Sequence, residues 1–120
     1  MISIVDDDKS FREATRRLIV SMGYGVSLFA SAEDFLQSDR VTDSSCLIVD
    51  IHMPGLSGAE LQQHLIAKGN RTPIIFVSAL ANEKTKGKAL EAGAIGFLNK
   101  PFREQSLIDF VDAALKRGKS

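Results

Sequence analysis

Near its start the sequence reads ISIVDDD (residues 2–8), a run of isoleucine, serine and valine followed by three adjacent carboxylates. A short run of this kind predicts a buried β-strand, and the charges mark the point at which that strand ends. Four later runs have the same short apolar character: GVSLF (25–29), CLIV (46–49), PIIFV (73–77) and IGFL (95–98). The chain is therefore predicted to contain five strands.

Helical patterns occupy the segments between and after these runs. Two stripes of apolar residues at helical spacing predict the first and last helices: Phe11, Ala14, Leu18 and Met22, then Leu107, Phe110, Val111, Ala114 and Leu115. Ser31 with Asp34 predicts the start of the second helix. A capping box of Ser57 and Glu60 predicts the start of the third helix. Each strand is thus followed by a predicted helix.

Glycines mark the predicted ends of three helices. Gly23, Gly69 and Gly93 stand where each helix should stop, the position at which a left-handed cap favours glycine. The segment 82–93 is the weakest predicted helix because it contains Gly87 and few apolar residues. We expect this fourth helix to be the least stable element.

The alternation of strands and helices decides the fold class. It predicts an α/β protein with a doubly wound five-stranded parallel sheet and five helices. CLIV and PIIFV are apolar throughout, as central parallel strands are, whereas GVSLF alternates, as an edge strand does. The expected strand order is the flavodoxin-like 2-1-3-4-5, in which ligands bind beyond the carboxyl ends of the strands.

Composition limits the class of protein. The 120 residues suit one domain, and fifteen basic residues balance fifteen acidic ones, so a protein that binds nucleic acid directly is not expected. The longest apolar stretches are too short to span a membrane, and the N-terminus shows no signal-peptide pattern. The single Cys46 is expected to be a small buried residue, which fits a cytoplasmic location.

Polar side chains follow four of the five predicted strands. They are Asp6, Asp7 and Asp8 after the first, Asp50 after the third, Ser78 after the fourth and Lys100 close behind the fifth. The predicted topology brings these groups to one edge of the sheet.

The charges at this edge predict a metal site. Two carboxylates about 4 Å apart repel by roughly 4 kcal/mol at an effective dielectric constant near 20. Asp6, Asp7 and Asp50 carry three negative charges and Lys100 offsets one, so a divalent cation would balance the remainder. Oxygen ligands favour Mg²⁺, with Mn²⁺ as a possible substitute.

The same edge offers groups for phosphoryl chemistry. Asp50 stands alone at the end of a central strand, where it could act as a nucleophile toward phosphorus. Ser78 supplies a hydroxyl donor and Lys100 a positive charge, and both suit phosphoryl oxygens.

Four motifs together resemble the receiver domain of the response regulators of two-component signalling. They are VDDD (5–8), LIVDIHMPGLSG (47–58), PIIFVSA (73–79) and AGAIGFLNKPF (92–102). The resemblance extends from residue 2 to about residue 115. FASAEDFL (29–36) and GAIGFLNKPF are similar to the FixJ-like branch, whose members usually carry a C-terminal DNA-binding domain.

The resemblance implies roles for the acidic residues. Asp50 would accept a phosphoryl group from the phosphohistidine of a sensor histidine kinase or a phosphotransfer protein. Mg²⁺ would be held by Asp7 directly, Asp6 through water, the Asp50 carboxylate and the backbone carbonyl of His52.

The resemblance also implies how the phosphoryl group is recognised. Its oxygens would contact the side chains of Lys100 and Ser78 and the backbone N–H groups of Met53 and Ala79. Ser78 would then move toward the phosphoryl group, and Phe97 would turn inward behind it. The Lys100–Pro101 peptide bond would be cis.

A phosphorylation-dependent signalling switch is the function that this resemblance implies. The protein would promote its own phosphorylation and dephosphorylation but would not be an enzyme with a separate substrate. The signal would reach the face made by the fourth helix, fifth strand and fifth helix, which could also form a homodimer. Residues 1–117 would form the receiver domain, and residues 118–120 a polar tail or the stub of a linker.

Several alternatives stay open at this stage. A Mg²⁺-dependent phosphohydrolase with an Asp nucleophile would need a second acid near Asp50, and none follows before Glu60. Flavin binding is disfavoured because the three carboxylates after the first strand would repel a flavin phosphate. A receiver that binds partners without phosphorylation is disfavoured because every expected site residue is present. The first helix could be capped by Asp8, or by Ser10 with Glu13. The arginines at 12, 16 and 17 are expected to form a solvated helix face.

Overall fold

The computed structural model describes residues 1–80 and 82–117, so the predicted tail at 118–120 lies outside the described residues. The strands are β1 (Ile2–Val5), β2 (Val26–Phe29), β3 (Cys46–Asp50), β4 (Ile74–Ser78) and β5 (Gly96–Asn99). The helices are α1 (Lys9–Ser21), α2 (Ala32–Leu36), α3 (Arg40–Asp43), α4 (Gly58–Ala67), α5 (Glu83–Glu91) and α6 (Glu104–Arg117).

The five strands form one parallel sheet in the order β2-β1-β3-β4-β5, which confirms the predicted topology. Every residue of β1, β3 and β4 is buried, whereas β2 lies at an edge and is half-buried. The register pairs Val5 with Val49, Asp50 with Val77 and Ser78 with Asn99. The carboxyl ends of the four strands β1, β3, β4 and β5 are therefore level with one another.

Two apolar layers cover the sheet, one on each face. On one face, strand residues such as Val49 and Phe76 pack against Phe35 of α2 and Leu61 of α4. The other face packs against α1 and α6 through these buried residues: Ile19, Leu107, Val111 and Ala114. The α/β architecture with helices on both sides of a parallel sheet is confirmed.

The predicted helix starts are confirmed, and the open choice for the first helix is resolved. Asp8 is the N-cap of α1, where its carboxylate accepts a hydrogen bond from the backbone N–H of Phe11 at 3.2 Å. Ser31 caps α2, and Ser57 caps α4 through a complete capping box with Glu60. The three predicted terminal glycines all have positive φ angles: Gly23, Gly69 and Gly93.

The second predicted helix is divided into two short helices, so the described chain has six helices rather than five. The break lies at residues 37–39, where the N–H and hydroxyl of Ser38 both donate to the Phe35 carbonyl and end α2. The predicted fourth and fifth helices are therefore α5 and α6.

The predicted apolar stripe of the first helix is confirmed in part, because Phe11, Leu18 and Met22 are half-buried and pack against the core. Ala14 is exposed, whereas Thr15 and Ile19 are the buried residues of α1. The stripe that faces the sheet thus contains a threonine, which a search for apolar residues passes over.

No helix in the described part of the chain is long and apolar enough to cross a bilayer.

Candidate functional site

Three carboxylates meet at the carboxyl edge of the sheet. Asp6 directly follows β1, Asp7 comes next, and Asp50 is the last residue of β3. One oxygen from each lies within 4.8 Å of the others. Asp6 is 0% exposed and Asp50 is 7% exposed, whereas Asp7 faces solvent. The predicted acidic cluster is therefore present, with two members buried and one open.

Lys100 joins this cluster directly after β5. Its Nζ lies 2.8 Å from Oδ2 of Asp6 and 3.4 Å from Oδ2 of Asp50. The same Nζ lies 4.0 Å from the ring centroid of Phe11 in α1, a distance at which a cation is attracted to the aromatic face. The Lys100–Pro101 peptide bond is cis, as the family resemblance implied.

The electrostatics follow from burial and from the number of charges. Burial raises the pKa of Asp6, the Lys100 hydrogen bond opposes this shift, and the Asp50 charge adds to it. Burial alone would lower the pKa of Lys100, but its hydrogen bond to Asp6 and the charges of Asp6 and Asp50 together raise it above its ordinary value. Lys100 is therefore held as a cation beside two carboxylates that it cannot fully neutralise.

Backbone groups orient the two buried carboxylates. The N–H of His52 donates to Oδ1 of Asp50 at 3.0 Å, and the N–H of Asp8 donates to Oδ1 of Asp6 at 2.9 Å. Each carboxylate thus receives a main-chain donor on one oxygen and Lys100 on the other. This arrangement fixes the carboxylates without closing the solvent side of the site, where Asp7 lies.

Gly58, the first residue of α4, allows the backbone behind Asp50 to pack closely. A Cβ at this position would lie 2.5 Å from the carbonyl oxygen of Asp50 and 2.8 Å from Cα of Ile51. The N–H of Gly58 also donates to the Ile51 carbonyl at 3.0 Å. A side chain at position 58 would therefore push the backbone that carries Asp50.

Ser78 ends β4 and is fully buried beside the same edge. Its hydroxyl accepts the N–H of Leu80 at 3.0 Å, and its carbonyl accepts the N–H of Lys100 at 2.7 Å. Nε2 of His52 lies 3.3 Å from the carbonyl of Leu80, so the loops after β3 and β4 are also in contact. Ser78 is thus tied to Lys100 through the backbone.

Phe97 lies in the core cluster that α2, α4 and α5 cover, not at the acidic edge itself. It is 7% exposed, and its ring centroid is 6.4 Å from that of Phe76. The inward position expected after phosphorylation is therefore the position that this structure already has.

Sequence reasoning missed some of the residues that support the site. Arg12 was assigned to a solvated face, but its Nη1 donates to the backbone carbonyl of Asp6 at 2.6 Å. Its position in the first turn of a helix capped by Asp8 could have indicated that it reaches back toward β1. The carboxylate of Glu33 in α2 accepts the N–H of Leu56, a long-range contact without a local sequence signal.

Comparisons with known proteins agree with this geometry. The family described as "Response regulator receiver domain" matches residues 2–112. The response regulator TodT of Pseudomonas putida is 41% identical over 116 residues, which are 97% of this chain and 51% of TodT. The transcriptional regulatory protein FixJ of Bradyrhizobium diazoefficiens is 32% identical over 116 residues, 97% of this chain and 57% of FixJ.

A solved structure has the same fold. The response regulator StyR superposes with a TM-score of 0.91 at 42% identity, covering 98% of this chain and 60% of the StyR chain. The chain spans about half the length of the curated relatives that it matches.

Proposed function

Because this chain belongs to the response regulator receiver domain family, we propose that it is a switch controlled by phosphorylation of Asp50. Receiver domains are the regulatory domains of two-component signalling rather than enzymes that turn over a separate substrate. The observation that supports Asp50 is the position of its carboxylate, between the Lys100 ammonium and the His52 N–H and beside Asp6 and Asp7. No other buried carboxylate of the described residues ends a central strand.

The proposed reaction is a phosphoryl transfer to an Asp50 carboxylate oxygen. A new P–O bond forms as the P–N bond of a phosphohistidine breaks, and the imidazole nitrogen of the donor keeps the electron pair and takes a proton. Lys100 would offset the negative charge on the phosphoryl oxygens, with the Ser78 hydroxyl and the N–H groups of Met53 and Ala79 as further donors. The donor would be a sensor histidine kinase or a phosphotransfer protein.

The carboxylates also fit a divalent cation. Three carboxylates lie within reach of one ion, and Lys100 supplies one compensating charge. Oxygen donors of this kind suit Mg²⁺, with Mn²⁺ as a substitute. We propose that Asp6, Asp7, Asp50 and the backbone carbonyl of His52 hold it. When bound, it would offset the charge that repels an incoming phosphoryl group.

The proposed output is a change in the face formed by α5, β5 and α6. Ser78 would move toward the phosphoryl group and would hold Phe97 in its inward position, which alters the surface beside α5. A homodimer through this face is part of the proposal. Sedimentation velocity with and without the phosphoryl mimic beryllium fluoride tests it, and an unchanged monomer would count against it.

The relatives suggest what the switch controls. TdiR and FixJ are named transcriptional regulatory proteins, and this chain covers about half of each. We propose that it acts on an output domain or partner that controls transcription, without contacting nucleic acid itself. The kinase partner and the free, buried Cys46 fit a cytoplasmic location.

Intact-mass analysis tests the proposed function. The wild-type protein is treated with a small phosphodonor such as acetyl phosphate, with Mg²⁺ or with a chelator. We expect the mass of one phosphoryl group to be gained only with Mg²⁺. Steady turnover of a phosphomonoester, without accumulation of phosphoprotein, would instead support a phosphohydrolase.

A further inference from the structure

Glu33 joins α2 to the loop that follows Asp50. It lies in the first turn of α2, and its Oε2 accepts the backbone N–H of Leu56 at 3.2 Å. We propose that Glu33 is a positioning residue for phosphoryl transfer, because it holds the loop 52–56 in place. The inference rests on the proposed function, since that loop carries two of the backbone groups assigned to the site.

Gly55 shows how closely the loop and the Glu33 carboxylate fit. Its φ is +74°, in the left-handed region that favours glycine. A Cβ at this position would overlap Oε2 of Glu33, so the carboxylate occupies the space that a side chain would need. Leu56 packs against the same core cluster as Phe35 of α2. The Glu33 hydrogen bond thus joins the loop to α2, and the glycine at position 55 leaves room for the carboxylate that makes it.

A hydrogen bond from a backbone N–H holds the loop on each side of Pro54–Gly55. On the Asp50 side, the N–H of His52 donates to Oδ1 of Asp50 at 3.0 Å. On the far side, Glu33 holds the N–H of Leu56. The His52 carbonyl and the Met53 N–H lie between the two hydrogen bonds, and their direction depends on both. Loss of the Glu33 hydrogen bond would let these groups move while the Asp50 side chain stays in place.

An alternative explanation is that Glu33 only stabilises the start of α2 by its negative charge and has no role in the loop. Both Glu33 and Asp34 lie in its first turn, where a negative charge is favourable. Within residues 1–80 and 82–117, however, the Asp34 carboxylate has no hydrogen-bond partner, and its backbone N–H donates to the Ser31 hydroxyl that caps the helix. Asp34 is therefore a matched control that shares the charge and the helix turn but not the contact with the loop.

The test compares Glu33→Ala, Glu33→Gln and Asp34→Ala in the full chain. Amide exchange of Leu56 is measured in the metal-free protein, and the rate of phosphorylation by acetyl phosphate is measured with Mg²⁺. For Glu33→Ala we expect Leu56 to exchange about fivefold faster and phosphorylation to slow about threefold to fivefold, the effect of one net hydrogen bond. Glu33→Gln keeps an acceptor oxygen and should restore both values, and Asp34→Ala should match the wild type.

The two readouts separate the possible failures. If Leu56 exchange is unchanged in Glu33→Ala, or if Asp34→Ala has the same effects, the positioning role is wrong. If wild type is phosphorylated and Glu33→Ala reacts at the same rate, the inference fails and the proposed function stands. If wild type takes up no phosphoryl group, the proposed function fails and the inference fails with it.

Discussion

The acidic edge and the helix α5 lie side by side in this fold but are built in opposite ways. The carboxylates of the edge extend from buried strands and are each held by a backbone N–H and by Lys100. All residues of α5 are described, and Ala89 is its only buried one; Gly87 further weakens it. A receiver thus combines a site fixed by sheet topology with a neighbouring element that few contacts hold, and such elements are the ones that move in switches.

The same substitution should have opposite effects in the two regions. In Gly58→Ala the new Cβ meets the Asp50 backbone, so we expect a loss of about 3 kcal/mol in the free energy of unfolding. In Gly87→Ala the new Cβ meets nothing within 4 Å, and we expect a gain of about 0.5 to 1 kcal/mol in helix stability. Urea denaturation measures both changes in the free energy of unfolding. If both variants lose stability, or both gain it, the proposed difference between the two regions is wrong.

Within the edge, adjacent aspartates should separate metal binding from folding. Asp7→Ala removes an exposed ligand, and we expect Mg²⁺ to bind at least about tenfold more weakly, with little change in stability. Asp8→Ala removes the N-cap of α1 and should reduce stability by about 1 kcal/mol, with Mg²⁺ affinity nearly unchanged. Calorimetric titration with Mg²⁺ and thermal unfolding check this pair, and equal losses of affinity would overturn the assignment.

The edge should also have a characteristic pH dependence in metal-free buffer. Burial raises the pKa of Asp6 above its ordinary 3.8, so between that value and the raised pKa the native state binds more protons than the unfolded state. The contribution of Asp6 to the free energy of unfolding is therefore present at low pH. It is lost as pH rises from 3.8 through the native pKa of Asp6, by about 1.4 kcal/mol for each pH unit between the two values.

Asp6→Asn isolates this effect because asparagine does not titrate. We expect the variant to gain stability relative to the wild type as pH rises through the same window. Denaturant unfolding of both proteins at a series of pH values measures the difference. A relative stability that falls with rising pH would show that Lys100 outweighs burial at Asp6.

The smallest expected effect concerns how α5 is attached. The buried Gln62 of α4 donates its Nε2–H to the carbonyl of Ala89 at 3.2 Å. Gln62→Leu removes this hydrogen bond, and the amides of residues 83–91 should exchange about fivefold faster. Gln63→Leu, at the exposed neighbouring position, is the control and should leave their exchange unchanged. If both variants behave alike, Gln62 does not hold α5.

The sequence was sufficient to predict most of the fold, because all elements except α3 were signalled locally. Asp8, Ser57 and Gly93 mark helix ends through the backbone groups they satisfy or the φ angle they permit. The acidic edge could also be predicted, since parallel topology alone brings Asp6, Asp50 and Lys100 together.

Features that depend on distant parts of the chain could not be predicted. The division of the second helix was also not predicted, although the Ser38 hydrogen bonds that end α2 are local and reach only three residues back, to the Phe35 carbonyl. The roles of Arg12 and Glu33 depend on which backbone group each side chain reaches once the chain has folded. Glu33 does not differ by type or spacing from an ordinary solvated charge on a helix, and Arg12 differs only by its place in the first turn of α1.

The central claim is that Asp50 is the residue that carries the phosphoryl group. Wild type and Asp50→Asn are treated in parallel with acetyl phosphate and Mg²⁺, and their intact masses are compared. We predict that wild type gains the mass of one phosphoryl group and that Asp50→Asn gains none. Equal gains in both proteins, or no gain in the wild type, would contradict the account.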